Sequence, residues 1–225
     1  SIGDGLWWAM ATVTTVGYGD KAPITPIGRL LAGVVMMGGI GSFGFIAGSI
    51  LEEFVEKGRG RMNIKFGGHY VICGYNYKAE SIVMELKKEM PDCKIVLIAD
   101  RDENPLLARE DVGFVRGDGA REAVLEKANI REAKTVIVLA DDQMEPQYAD
   151  AHSVLTTLAV KELNPAGKLV AESMHPENTH HLLHAGANEI VCIGDISTKL
   201  ISRASIHLGM TDLISELMTN NSGNE

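Results

Sequence analysis

Cysteine is scarce: Cys73, Cys93 and Cys192 are the only three in 225 residues, and no CxxC pair occurs among them. That spacing excludes a disulfide framework and a cysteine-based zinc site, so the thiols read as buried groups of a reducing cytosol. Net positive charge is lacking as well, the formal value being -9. A nucleic-acid partner needs a basic face against its phosphates and is not expected. A third absence is local. Residues 30–51 carry no charged side chain, a run of 22 residues. At 1.5 Å per residue such a helix is about 33 Å long, enough to cross a bilayer.

Charge elsewhere is divided unevenly. Residues 1–65 hold six Lys/Arg against five Asp/Glu, and the remaining 160 hold 15 against 25. One membrane piece and one acidic domain of ordinary size follow. Arg29 precedes the uncharged run; Glu52, Glu53 and Glu56 and then Lys57, Arg59, Arg61 and Lys65 follow it. The four basic residues assign that end to the cytoplasm. Glu52 and Glu53 would gather cations at an inner mouth.

Residues 5–14 are apolar but would make a helix of only about 15 Å, too short to span. They fit a re-entrant helix whose carbonyl end, with its partial negative charge, points at an ion cavity. The stretch leads into Thr14-Thr15-Val16-Gly17-Tyr18-Gly19-Asp20. With glycine at alternate positions, residues 15–19 can take backbone angles that turn successive carbonyls to one side. Four such strands around an axis make rings of oxygens that replace the water shell of a potassium ion.

TVGYGD and its flanks resemble the selectivity filter of potassium channels. The resemblance implies a filter of Thr15, Val16, Gly17, Tyr18 and Gly19, supported by Trp7, whose indole N–H would reach Asp20. Ala11 stands where many such channels carry a glutamate behind the filter, so stabilisation there has to be arranged differently. Short helix, filter and spanning inner helix together resemble the second half of a two-helix pore. That implies a homotetramer in a lipid bilayer, conducted potassium, a multi-pass cell-membrane protein and an outer helix ahead of Ser1. Gly38, Gly39, Gly41, Gly44 and Gly48 exceed what a span needs, since each costs about 1 kcal/mol against Ala in a helix interior. GIGSF at 39–43 resembles the hinge region of ligand-gated prokaryotic channels, with Gly39 as gating hinge. Gly44 and Gly48 have the small-xxx-small spacing of close helix packing.

After residue 56 the pattern changes. Residues 58–68, GRGRMNIKFGG, read as part of a glycine-rich basic linker over 57–68. Short runs rich in Val and Ile then recur at 69–73, 94–98, 114–116, 135–139, 168–172 and 189–193, with helical patterns between them. Continuous apolar strands alternating with helices predict a parallel sheet covered on both faces, a doubly wound Rossmann-like α/β domain over 69–225. Such a sheet offers a crevice at the carboxyl ends of its strands. Against the GxGxxG pattern, Gly74 supplies the tight turn and Ala79 the small third residue, while Asn76 replaces the middle glycine. Asp100 stands where an acidic residue would hold ribose hydroxyls; Gly117 and Asp118, and Asp141 and Asp142, line the same edge. The expected ligand is NAD(H) or an adenine nucleotide, bound through Gly74, Asn76, Ala79, Asp100, Gly117 and Asp118.

Segments 116–138 and 184–204 resemble the RCK or KTN family, regulators of potassium conductance. The resemblance implies lobes that pair into a gating ring driven by calcium, a nucleotide or another cytoplasmic ligand. The carboxylates of its calcium-gated members correspond here to Leu139, Glu172 and Met174, so that calcium site is not expected, and any divalent cation is left open. The helix at 196–208 and the piece at 210–218 would pack on a neighbouring lobe through Ile196, Leu200, Ile201, Leu208, Leu213, Ile214 and Leu217. His180 and His184 share a helix face at a spacing that can bind zinc or sense pH, with His175 and His181 nearby. The expectation is a non-enzymatic, ligand-gated potassium channel subunit; the alternative is a nucleotide-binding regulatory subunit of a potassium transport system.

Overall fold

The computed structural model describes residues 1–106, 111–141 and 144–218. Asp142 and the tail after residue 218 lie outside the described residues. The chain forms two compact units, residues 1–56 and the remainder from Lys57.

In the first unit, helix α1 (Ile2–Val13) runs to the filter segment, and helix α2 (Pro26–Gly58) is continuous for 33 residues. Pro26 opens α2 at its first position, where a missing N–H costs nothing. α2 is apolar along most of its length and almost bare of intrachain cover, and it is the one helix among the described residues long and apolar enough to cross a membrane. A helix apolar all round and uncovered requires lipid or partner helices as its surroundings.

The second unit is a six-stranded, all-parallel sheet in the order β3-β2-β1-β4-β5-β6. Its strands are β1 (Tyr70–Cys73), β2 (Ile95–Ala99), β3 (Val112–Arg116), β4 (Thr135–Val138), β5 (Lys168–Ser173) and β6 (Glu189–Cys192). Successive side chains alternate between two buried layers, as a strand's period of two requires. Val71, Cys73, Val96, Ile98, Val136 and Val138 pack under α4 (Glu122–Lys127), α5 (Pro146–Leu163) and α6 (Thr179–His184). Ile72, Ile95, Leu97 and Phe114 pack under α3 (Ala79–Glu89). The order reverses between β1 and β4, the switch point at which such sheets open a ligand crevice. α7 (Ile193–Ile206) begins directly after β6, three residues earlier than expected, and α8 (Met210–Met218) lies against it.

The stretch expected to be a linker is built into this unit. The Gly58 carbonyl accepts the Asn104 N–H at 3.0 Å and the Gly60 carbonyl accepts the Arg116 N–H at 2.9 Å. The Ile64 N–H donates to the Lys127 carbonyl at 2.7 Å, and Asn129 Nδ2 donates to the Phe66 carbonyl at 2.8 Å. Ile64 and Phe66 pack on the first core layer, over the bare Cα of Gly113. The glycines that suggested slack serve close approach instead. Gly60 has φ +66°, and a Cβ there would lie 2.6 Å from the Arg116 nitrogen and from the Phe114 ring.

Gly60→Val therefore meets both a left-handed backbone and backbone atoms that cannot yield. A loss of about 2 kcal/mol or more is expected, read as an earlier thermal unfolding transition of the chain in detergent. An unchanged transition would show that the strap is not docked in solution.

Candidate functional site

Two sites carry the expected chemistry, one in each unit. In the first, φ is positive at Thr15 (62°), Gly17 (57°) and Gly19 (73°) and at neither Val16 nor Tyr18. Alternation of left- and right-handed residues turns successive peptide planes over, so the carbonyls of the segment face one side. Glycine takes the left-handed region at no steric cost, whereas a β-branched threonine is strained there by about 1–3 kcal/mol. Such an outlier persists only where its surroundings hold it. The Thr15 N–H donates to the Thr12 carbonyl and the Gly17 N–H to the Ala11 carbonyl, each at 3.0 Å. The Ala11 backbone thus takes up the position behind the segment that lacks an acidic side chain. On the outer side Trp7 Nε1 donates to Asp20 Oδ2 at 2.9 Å, and the Trp7 and Tyr18 rings stack 5.7 Å apart, 5° from parallel.

Gly39 lies against the end of α1. A Cβ at Gly39 would overlap the methyl groups of Val13, whereas nothing lies within 4 Å of the corresponding positions at Gly38, Gly41, Gly44 and Gly48. Within the chain, close contact is thus found at Gly39, and α2 runs through it unbroken.

In the second unit a crevice of about 380 Å3 opens over the ends of β1 to β4. Gly74, Asp100, Gly117 and Asp118 line it as expected, joined by Arg101, Asp141, His152 and Thr156. Asp100 is largely exposed, with Arg116 Nε at 3.8 Å; the Arg116 fork also reaches Asp102 at 2.8 Å. Asp118 Oδ1 accepts the Ala120 N–H at 2.8 Å and lies 2.8 Å from His152 Nε2. Partial burial alone would raise the Asp118 pKa; the Ala120 and His152 hydrogen bonds outweigh it and hold the carboxyl below its usual range. Burial, and then the Asp118 charge, pushes the Cys73 thiol at the crevice floor up to about 12.

Two expected ligand residues are not in the crevice. Asn76 is buried, its Nδ2 donating to the Ala140 carbonyl at 2.8 Å while its Oδ1 accepts the Lys78 N–H at 3.0 Å. Each end of the amide is thus tied to a backbone group, which holds the side chain away from the crevice. Ala79 is buried in the layer beneath α3, where it packs the helix onto the sheet. Lys78 is a residue that the sequence did not single out. Its ammonium lies 2.5 Å from the buried Glu172 Oε1, and Glu172 Oε2 accepts the Ala140 N–H at 3.2 Å. The one carboxylate matching the calcium-gated pattern is thus neutralised from within.

His175, His180, His181 and His184 do not line the crevice. The His180 and His181 rings lie 3.8 Å apart, tilted by 41°, and His180 meets His184 edge-on at 6.2 Å. Among the described residues no three His, Cys, Asp or Glu converge as a metal site would require. Ile196, Ile201, Leu208, Leu213 and Leu217 stand exposed on α7, α8 and the turn between them.

Residues 1–56 match the ion channel family and residues 70–193 the TrkA-N domain family. The calcium-gated potassium channel TvoK of Thermoplasma volcanium is 33% identical over 93% of this chain and 61% of its own length. Potassium channel protein 1 of Methanocaldococcus jannaschii is 31% identical over 95% of this chain and 65% of its own. The chain thus spans under two thirds of the curated relatives it matches. Among solved structures, the GsuK channel bound to NAD aligns with a TM-score of 0.54 at 23% identity, covering 85% of this chain and 35% of that one. GsuK bound to ADP aligns at 0.52 and 23%, covering 85% and 51%. These likenesses establish the shared fold.

A thiol at about 12 is thiolate in roughly one molecule in ten thousand at pH 8. Iodoacetamide at that pH is expected to leave Cys73 unmodified in the folded chain and to alkylate it after denaturation, read by peptide mass spectrometry. Labelling of Cys73 in the folded chain would contradict its burial.

Proposed function

The chain belongs to the TrkA-N domain family, here preceded by an ion-channel segment, and from that premise we propose that it is a subunit of a potassium-selective channel gated by a cytoplasmic ligand. Thr15, Val16, Gly17, Tyr18 and Gly19 form the filter, four chains surround one pore, and Trp7 and Asp20 brace it from outside. The observation that carries this reading is the alternating handedness of residues 15–19, ahead of a helix whose uncharged run of 22 residues is of spanning length. The subunit acts passively, without chemistry on a substrate. α2 crosses the cell membrane, and the lobe sits on the cytoplasmic side, where the basic residues after residue 56 are expected to lie.

The lobe is the sensor. Asp100, Gly117 and Asp118 hold a nucleotide at the crevice, a role supported by the GsuK structures with NAD and ADP. Calcium at the family's carboxylate position is not part of the proposal, because Glu172 already has a cation in Lys78. Lobes pair into a ring through the exposed apolar positions of α7 and α8. The strap offers the route out of the crevice: the Arg116 and Asn104 N–H groups that hold it sit one residue from Gly117 and three from Arg101. Ligand binding needs a differential affinity of about 1–3 kcal/mol between two arrangements to act as a switch. A nucleotide-binding transporter subunit would share the lobe, but the filter segment favours the channel.

Flux through liposomes reconstituted with the protein carrying this chain tests the conducting role: potassium uptake is expected to exceed sodium uptake at least tenfold, and equal uptake would overturn the proposal. Gly39 as hinge has its own test, separable from its contact with Val13. Gly39→Ala with Val13→Ala relieves the overlap yet stiffens α2 by about 1 kcal/mol. The double variant should assemble normally and respond several-fold more weakly to ligand; a wild-type response would remove the hinge.

A further inference from the structure

The crevice stops at the switch point. Its lining takes residues from the ends of β1 to β4, with Gly74 and Tyr75 of the turn after β1 among them, but not Asn76 or Lys78 and none from β5. Two ties close the ground beyond. Asn76 bridges from the β1 turn to the Ala140 carbonyl past β4, and Lys78 bridges from the same turn to Glu172 on β5. A dinucleotide lies across the switch point with its diphosphate against the first turn, whose middle glycine lets it approach. Here that approach is filled by a carboxamide whose two ends are both bonded to the protein, and the Lys78 N–H that would face a phosphate is spent on it.

The open half has the opposite character. Three carboxylates, Asp100, Asp118 and Asp141, line it with Arg101 and His152 among the described residues, and Arg116 Nε lies 3.8 Å from Asp100. That balance disfavours a polyphosphate. Thr156 lines the crevice, and its hydroxyl, like those of Ser153 and Thr157 beside it on α5, is buried without a hydrogen-bond partner among the described residues. A buried hydroxyl without a partner is costly unless something entering the site satisfies it. The volume of about 380 Å3 lies at the small end of the range for small-molecule sites.

We propose that the crevice takes a single nucleoside unit, a ribonucleoside or its monophosphate, and excludes dinucleotides. Asp100 holds the ribose diol, Thr156 meets a polar group of the inserted end, and Asn76 with Lys78 bars the second half. This rests on the reading of the lobe as a nucleotide sensor.

Calorimetric titration of the chain in detergent with AMP, adenosine and NAD tests it. AMP or adenosine is expected to bind at least about tenfold more tightly than NAD. Asn76→Gly should narrow that gap by tightening NAD, with AMP left within about twofold. Thr156→Val should weaken AMP roughly three- to tenfold at an unchanged melting temperature. NAD binding as tightly as AMP to the unaltered chain would overturn the proposal while leaving the sensor reading intact. So would a folded Asn76→Gly with an unchanged ratio, or a Thr156→Val with unchanged AMP affinity. If Asn76→Gly does not fold, the wild-type ratio and Thr156→Val decide. If none of the three ligands binds, the sensor reading itself falls, and the proposal with it.

Discussion

Backbone carbonyls cannot be left without partners at membrane depth, and the segment from Thr15 to Gly19, with positive φ at every second residue, has the backbone that the proposed row of carbonyls needs. Everything around it answers to that constraint. An unsatisfied row of oxygens is stable only around a cation or a water-filled axis, which one chain cannot enclose, so the proposed pore needs copies. The strained Thr15 requires a rigid frame, supplied inside by the Ala11 and Thr12 carbonyls and outside by the Trp7–Asp20 hydrogen bond and the Trp7–Tyr18 stack. The bare flank of α2 has the same origin, because a helix that lines or surrounds such an axis finds its cover in lipid and neighbours.

The lobe answers to a different constraint. A parallel sheet buried on both faces leaves its chemistry to the loops at the carboxyl ends of the strands. In this chain those loops are held by specific polar ties: Asn76 to Ala140, Lys78 to Glu172, Asp118 to His152. Two of the three close ground that a dinucleotide would use. The third shapes what is left open.

The order of elements was legible from residue type alone, since Val/Ile runs of three to five residues between helical patterns have few other readings. The alternating backbone of residues 15–19 was legible because glycine at alternate positions advertises it. The strap was not, because the glycines that make a linker flexible also let a chain lie close on a sheet, and only the fold distinguishes the two. Asn76 was visible as a departure from the glycine pattern, but its partner lies 64 residues away. The Lys78–Glu172 pair spans 94 residues and left no local signal. His152 and Thr156 sit in the middle of α5, and no sequence motif marked them. Gly39 carried a hinge signal that is equally the signal of a close helix contact, and Val13 supplies the contact.

The strap has one more consequence. β3 lies at the edge of the sheet, and an edge strand offers free N–H and C=O groups to any passing strand. By giving the Arg116 N–H a partner in Gly60 and laying Ile64 and Phe66 over Gly113, residues 58–66 blunt that edge before another chain can pair with it. In an assembly that holds several copies of the lobe at high local concentration, the same nine residues guard against aggregation.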